Sequence, residues 1–258
     1  MPAPSRSPSL ASVHADVWHA NALAHAPGRV LATGHAALDA QLPGGGWPLG
    51  ALTEILQPPG VHGEWRLLMP ALARCGTETV VLVGAPQVPF VPALAAQGLP
   101  PNRLLWVAAS AAPQRLWAAE QALRCAGVDA VLAWLVQVRP DQLRRLQMAA
   151  AEYAKLLFVL RPQQAQDASS PAVLRLLLGA GSPASAGPDA AAPDALAVHV
   201  LKRRGPPLAQ PLQLAARPAR LARVLAASTR AGPDRVDGAT VPLAAEYSHA
   251  LARTAAHA

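Results

Sequence analysis

Three runs fix the class of fold available to this chain. Residues 79–84, 129–138 and 155–160 are apolar almost throughout, and a strand without polar alternation is one buried on both faces. Between them the period changes. Residues 113–126 set Leu116, Ala119 and Leu123 at helical spacing, and residues 140–153 do the same with Leu143, Leu146 and Ala150. Buried strands alternating with amphipathic helices predict a mostly parallel sheet covered by helices on both sides, a doubly wound α/β fold. The same reading adds strands at 51–56 and 103–107, helices at 64–74 and 91–97, and a terminal hairpin from 196–201 and 211–215. Residues 30–32 are a short extended piece and 33–42 a turn into one or two helical turns. The Gly/Pro cluster at 43–50 reads as a tight loop without regular structure.

Composition sets the limits of this domain. The Pro/Ser/Ala-rich residues 1–15 predict a disordered N-terminus, followed by a short helix over 16–24. One α/β domain then spans 16–216, with a flexible linker inside it at 178–194 and a polar loop at 161–171. Residues 217–258 read as a basic, mostly flexible tail with a late helix around 243–255. No run of about 18 charge-free apolar residues occurs, so no membrane span is expected and the cytoplasm is the expected compartment. Cys75 and Cys125 are the only cysteines, too few for a disulfide framework or a four-cysteine zinc site, and read as reduced core residues. A formal charge of +7 favours an anionic partner, and the basic residues are arginines apart from Lys155 and Lys202.

That lysine inventory bears on the central motif, Glu54-Ile-Leu-Gln-Pro-Pro-Gly-Val-His-Gly-Glu-Trp65. It lies between a strand and a helix, where a phosphate-binding loop of the form G-x-x-x-x-G-K-[ST] would lie. Pro58 stands for the first glycine, Gly60 falls within the loop, and Gly63 stands for the second glycine. Glu64 replaces the lysine and Trp65 the metal-binding hydroxyl. A carboxylate repels phosphate, and an indole has no lone pair to offer a cation. Neither lysine follows a glycine-rich loop, so no second such site exists. No cofactor and no metal is expected. Glu64 is expected to cap the following helix, and Trp65 either to fill the vacated site or to project toward a partner. His62-x-Glu64 matches half of a zinc deaminase signature, but no Cys-x-x-Cys completes it. No G-x-S-x-G is present either, so no catalytic residue is assigned.

The run Thr33-Gly34, Leu38-Asp39, Gly44-Gly-Gly-Trp-Pro48, Gly50, Glu54-Ile55 resembles the approach to the nucleotide loop in RecA-like ATPases. Further runs at 42–48, 63–64, 67–73, 117–124, 131–134, 143–149 and 201–205 are similar to the ImuA family, RecA/SulA-related accessory proteins of bacterial damage-induced mutagenesis. The likeness covers roughly residues 17–215. It implies a RecA-like fold and a part in SOS-induced error-prone translesion synthesis. It also implies ImuB and an error-prone replicative-type polymerase as partners, with RecA as a further candidate. Set against RecA-type enzymes, Ala85-Pro86-Gln87 stands where a catalytic Glu is expected and Val131-Leu-Ala-Trp134 where a Mg²⁺-binding Asp is expected. The first DNA-binding loop is missing after Trp134, and 161–171 would be a shortened second one.

The reading is therefore a non-catalytic adaptor. Its candidate partner or DNA contacts are Arg144 and Arg145 on a helix face, Lys202, Arg203 and Arg204 before a turn, and Arg217, Arg220 and Arg223 opening the tail. The charge allows weak DNA binding. Trp47, Trp106, Trp117 and Trp134 are expected to pack in the core or at a sheet edge. Two other readings stay open: a SulA-like inhibitor binding the tubulin-like division protein, and a divergent RecA-type DNA-dependent ATPase.

Overall fold

In the computed structural model of the chain, residues 29–180 and 195–215 are described. They form an α/β unit around an eight-stranded sheet. The strands are β3 (Ala51–Gln57), β4 (Thr79–Val83), β5 (Leu104–Val107), β6 (Val128–Trp134), β7 (Leu156–Pro162), β8 (Leu174–Ala180), β9 (Ala195–Lys202) and β10 (Leu212–Ala215), in spatial order β10-β9-β8-β3-β7-β6-β4-β5. All pairs from β8 across to β5 are parallel, while β9 runs antiparallel to both β8 and β10. The expected mostly parallel sheet and closing hairpin are both present. Two short strands, β1 (Val30–Leu31) and β2 (Trp47–Pro48), pair separately.

Helices pack on both faces. On one, α1 (Ala36–Asp39), α2 (Glu64–Leu72) and α3 (Val91–Ala96) contribute Leu38, Leu67, Leu68, Leu72 and Leu94 to a core with Ile55, Leu82, Phe158 and Leu176. On the other, α4 (Ala112–Arg124) and α5 (Pro140–Glu152) bury Ala119, Leu123, Leu143 and Leu146 against Val81, Val131 and Val159. The strands β6 and β7 are buried nearly throughout, which is why their sequences carry no alternation.

The details depart from the sequence reading at several points. The Gly/Pro cluster is ordered: Pro43–Gly45 forms a 3₁₀ turn and Trp47 joins β2. Its indole is fully buried and meets Phe158 edge-on at 5.3 Å, so aromatic packing organises a segment whose glycines alone would not. The strand expected to reach residue 138 stops at Trp134, because the chain bends into α5 at Pro140 and leaves Val136 exposed. Arg161 and Pro162 belong to β7, and Gln163–Asp167 is a 3₁₀ turn, so 161–171 is not a loop throughout. The linker expected from residue 178 begins too early: Leu178 and Gly179 continue the β8 ladder opposite Val198 and Ala197. Residues 181–194, the N-terminal segment 1–28 and the tail from 216 onward lie outside the described residues.

Candidate functional site

The carboxyl ends of parallel strands are where α/β proteins place their ligands, and β3 delivers the 58–63 loop there. Val61 N–H donates to Pro58 O at 3.1 Å, with Pro59 and Gly60 between them and Gly60 at φ +75°. Proline followed by a left-handed glycine is the pattern of a type II turn. Pro58 and Pro59 have no N–H, and that of Val61 is spent within the turn. A phosphate cradle needs several free backbone donors converging on one point, and this turn removes three of them.

Beyond the turn the loop rests on its neighbours. A Cβ on Gly63 would lie 2.5 Å from Leu196 Cδ1, so only glycine lets the loop approach β9 this closely. Glu64 is the first residue of α2 and is 3% exposed. Its Oε2 accepts from Gln57 Nε2 at 2.6 Å. The expected capping holds only in its electrostatic sense: the N-cap is Gly63, and no side-chain cap hydrogen bond forms. A buried carboxylate therefore sits at a helix N-terminus, the position that favours an anion. Trp65 is half-buried against the first core cluster, so it does not project as an anchor.

The neighbouring strand ends carry no carboxylate toward this loop. Strand β4 ends at Val83, with Gly84, Ala85 and an exposed Pro86 following. Trp134 closes β6, 7% exposed and inside the same core cluster as α2. Its carbonyl accepts from Arg115 Nη1 at 3.3 Å, and Arg115 Nε donates to Ala109 O at 2.8 Å. That arginine braces the loops with its donors.

A buried ion cluster joins β3 to its two neighbours, on the sheet face away from α2. Glu54, fully buried in β3, accepts from Arg161 Nη1 of β7 at 2.6 Å and from Arg175 Nε of β8 at 2.5 Å. Arg175 also donates to Gln166 O at 3.0 Å and Ala165 O at 2.8 Å, so the 163–167 turn folds over the cluster. Arg161 Nε is buried without a hydrogen-bond partner. Two guanidinium groups and one carboxylate tie three adjacent strands at the base of the loop. Sequence reasoning missed this cluster, having placed Arg161 in a loop and assigned Arg175 no role. A lone charge inside each apolar strand was the available signal.

A groove of about 550 Å³ lies on the α4/α5 face of the sheet, between α4, α5 and the 169–171 segment. Arg145 Nη2 meets Glu120 Oε2 at 2.6 Å, and Arg124 Nη2 meets Glu120 Oε1 at 3.2 Å. Arg144 lines the groove, is exposed, and forms no ion pair among the described residues. Lys202 Nζ donates to Ser170 O at 3.2 Å, at the groove's wall. Arg144, Arg145 and Lys202 are thereby brought to one surface. Arg203 is not part of it: its guanidinium donates to Gln41 O and to Pro206 O, which ties the β9–β10 turn down. Arg204 lines a different cavity, of about 250 Å³, with Arg29 and Gln147. Arg217, Arg220 and Arg223 lie outside the described residues.

Two further expectations need correction. Cys125 is exposed at the end of α4 and Cys75 only partly buried, so neither is a core residue of the usual kind. Trp117 is 66% exposed, because it is one residue out of phase with the buried stripe of Leu116, Ala119 and Leu123. Trp47 and Trp134 are core, and Trp106 lies on the edge strand β5. Among the described residues no helix is long and apolar enough to cross a membrane. The chain matches no protein-family model and no curated protein.

Proposed function

We propose that the chain is a non-catalytic, RecA-like accessory protein of the ImuA kind. In this reading it serves SOS-induced error-prone translesion synthesis as an adaptor for ImuB, an error-prone replicative-type polymerase and RecA. The observation that carries the non-catalytic half is Glu64: its buried carboxylate sits at the N-terminus of α2. The protein supplies its own anion at the site where a nucleotide would place a phosphate. Pro58, Pro59 and the Pro58–Val61 hydrogen bond remove donors from the same loop. The Glu54 cluster holds β3, β7 and β8 together, which suits a scaffold fixed in one state.

The partner half rests on the sequence likeness to the ImuA family and on an exposed basic surface at Arg144, Arg145 and Lys202. Co-purification of the full chain with ImuB and with RecA at physiological salt tests it. A complex with ImuB that forms equally with and without ATP and Mg²⁺ is the expected result. Failure to retain either protein would remove the adaptor reading. Filamentation on overexpression would favour a division inhibitor instead.

A further inference from the structure

We infer that the groove between α4 and α5 is a docking site for an acidic peptide segment bearing large apolar side chains, supplied by a partner protein. The inference does not depend on the adaptor's identity. It stands on the charge and the exposed apolar groups that two helices bring to one surface.

The charge balance is uneven. Asp141 is matched by Arg139 at 3.2 Å. Glu120 is shared by Arg124 and Arg145, so one positive charge remains there. Arg144 adds a second and Lys202, held at Ser170, a third. Glu120 has a further effect: it fixes two guanidinium groups while taking one hydrogen-bond donor from each. A guanidinium has five N–H donors in a rigid fork, so both keep donors for an incoming carboxylate, already oriented.

The apolar component is equally specific. Met148 lines the groove and is 65% exposed, and Trp117 is 66% exposed. Trp117, Glu120 and Arg124 follow at i, i+3 and i+7 on α4, and Arg144 and Met148 at i and i+4 on α5, so each set shares a helix face. Trp, Met and Arg are the residues enriched at interface centres, and Met adapts its shape to what it covers. The helix α5 has 13 residues, a length of about 20 Å, which matches about six extended peptide residues.

Nucleic acid fits less well. A phosphate backbone asks for cations in series, whereas Arg124 and Arg145 are held on Glu120 and Arg144 stands apart from them, a spacing that suits single side-chain carboxylates set between apolar groups. A small metabolite would leave Trp117 uncovered.

Fluorescence anisotropy on the full chain tests the assignment. The probe is a fluorescein-labelled peptide of Asp, Glu, Leu and Phe. Comparison peptides replace its apolar residues by Ser or its acids by Lys, and labelled oligo-dT is the fourth ligand. Saturable binding of the first peptide alone is expected. Arg144→Glu and Met148→Lys, both at exposed positions, each weaken it about tenfold. Arg66→Glu, exposed on the other face of the sheet, leaves it unchanged. No binding of the acidic peptide, binding indifferent to both groove substitutions, or oligo-dT displacing the peptide from the groove would each overturn the inference.

Discussion

Arg175 on β8 stands directly across from Glu54 on β3 and donates Nε to its carboxylate at 2.5 Å, with Arg161 of β7 taking the other oxygen. Removing the acid leaves two guanidinium groups buried without a counter-charge. Glu54→Ala is expected to lower stability by about 3–5 kcal/mol, read from the midpoint of urea unfolding. Replacing all three by Met and Leu is expected to return stability to within about 1 kcal/mol of the native chain, since a well-packed apolar trio avoids the desolvation of ions. A single substitution with no effect would show that the cluster holds nothing together.

Arg203 clamps the β9–β10 turn to Gln41 and Pro206 through its guanidinium. Arg203→Ala is expected to cost about 1–2 kcal/mol through lost charge-assisted hydrogen bonds. The neighbouring Arg204→Ala, at an exposed position, should change stability by less than about 0.5 kcal/mol. Thermal unfolding of the two variants side by side separates a structural arginine from a surface one.

The two thiols should behave differently. Cys125 is exposed and reacts first with iodoacetamide, as peptide mass mapping would show. Burial pushes the Cys75 thiol up from its ordinary value of 9.0, partly offset by Arg103. The folded chain then holds that proton more tightly than the unfolded one. The stabilisation is complete below about pH 9 and is lost as pH rises through the higher folded value. The stability advantage of the native chain over Cys75→Ala should accordingly shrink as pH rises above about 9. An advantage that grows over that range would contradict the assignment.

Restoring the missing side chains should not restore a nucleotide site. Glu64→Lys combined with Trp65→Thr rebuilds the G-K-T ending, yet Pro58 and Pro59 still lack N–H groups and Val61 still closes the turn. No ATP binding is expected from this variant by equilibrium dialysis. Micromolar binding would show that the two side chains alone had shut the site.

The sheet was legible because continuous apolar runs have few other homes, and the helices because Leu143, Leu146 and Ala150 repeat at their period. The same periodicity contained the exposure of Trp117, which falls off the buried stripe of α4; an expectation built on residue type hid it. The closed loop was half legible. Pro58, Glu64 and Trp65 were visible as departures from the phosphate-loop pattern, but the packing of Gly63 against Leu196 joins residues far apart in sequence. Arg161 and Arg175 stood out only as lone charges, and their pairing was hidden for a physical reason: a buried arginine is rare without a partner, and the partner, Glu54, sits on another strand. Arg203 looked like its neighbours because a run of cations does not reveal that Lys202 meets Ser170 O while Arg203 meets Gln41 O and Pro206 O.

On the proposed reading, the Glu64 carboxylate takes the place of a bound phosphate. Isothermal titration of the full chain with ATP and Mg²⁺ tests it most directly. The expected result is no heat beyond dilution up to millimolar nucleotide. A saturable isotherm with a micromolar Kd, weakened by substitution in the 57–65 loop, would contradict it.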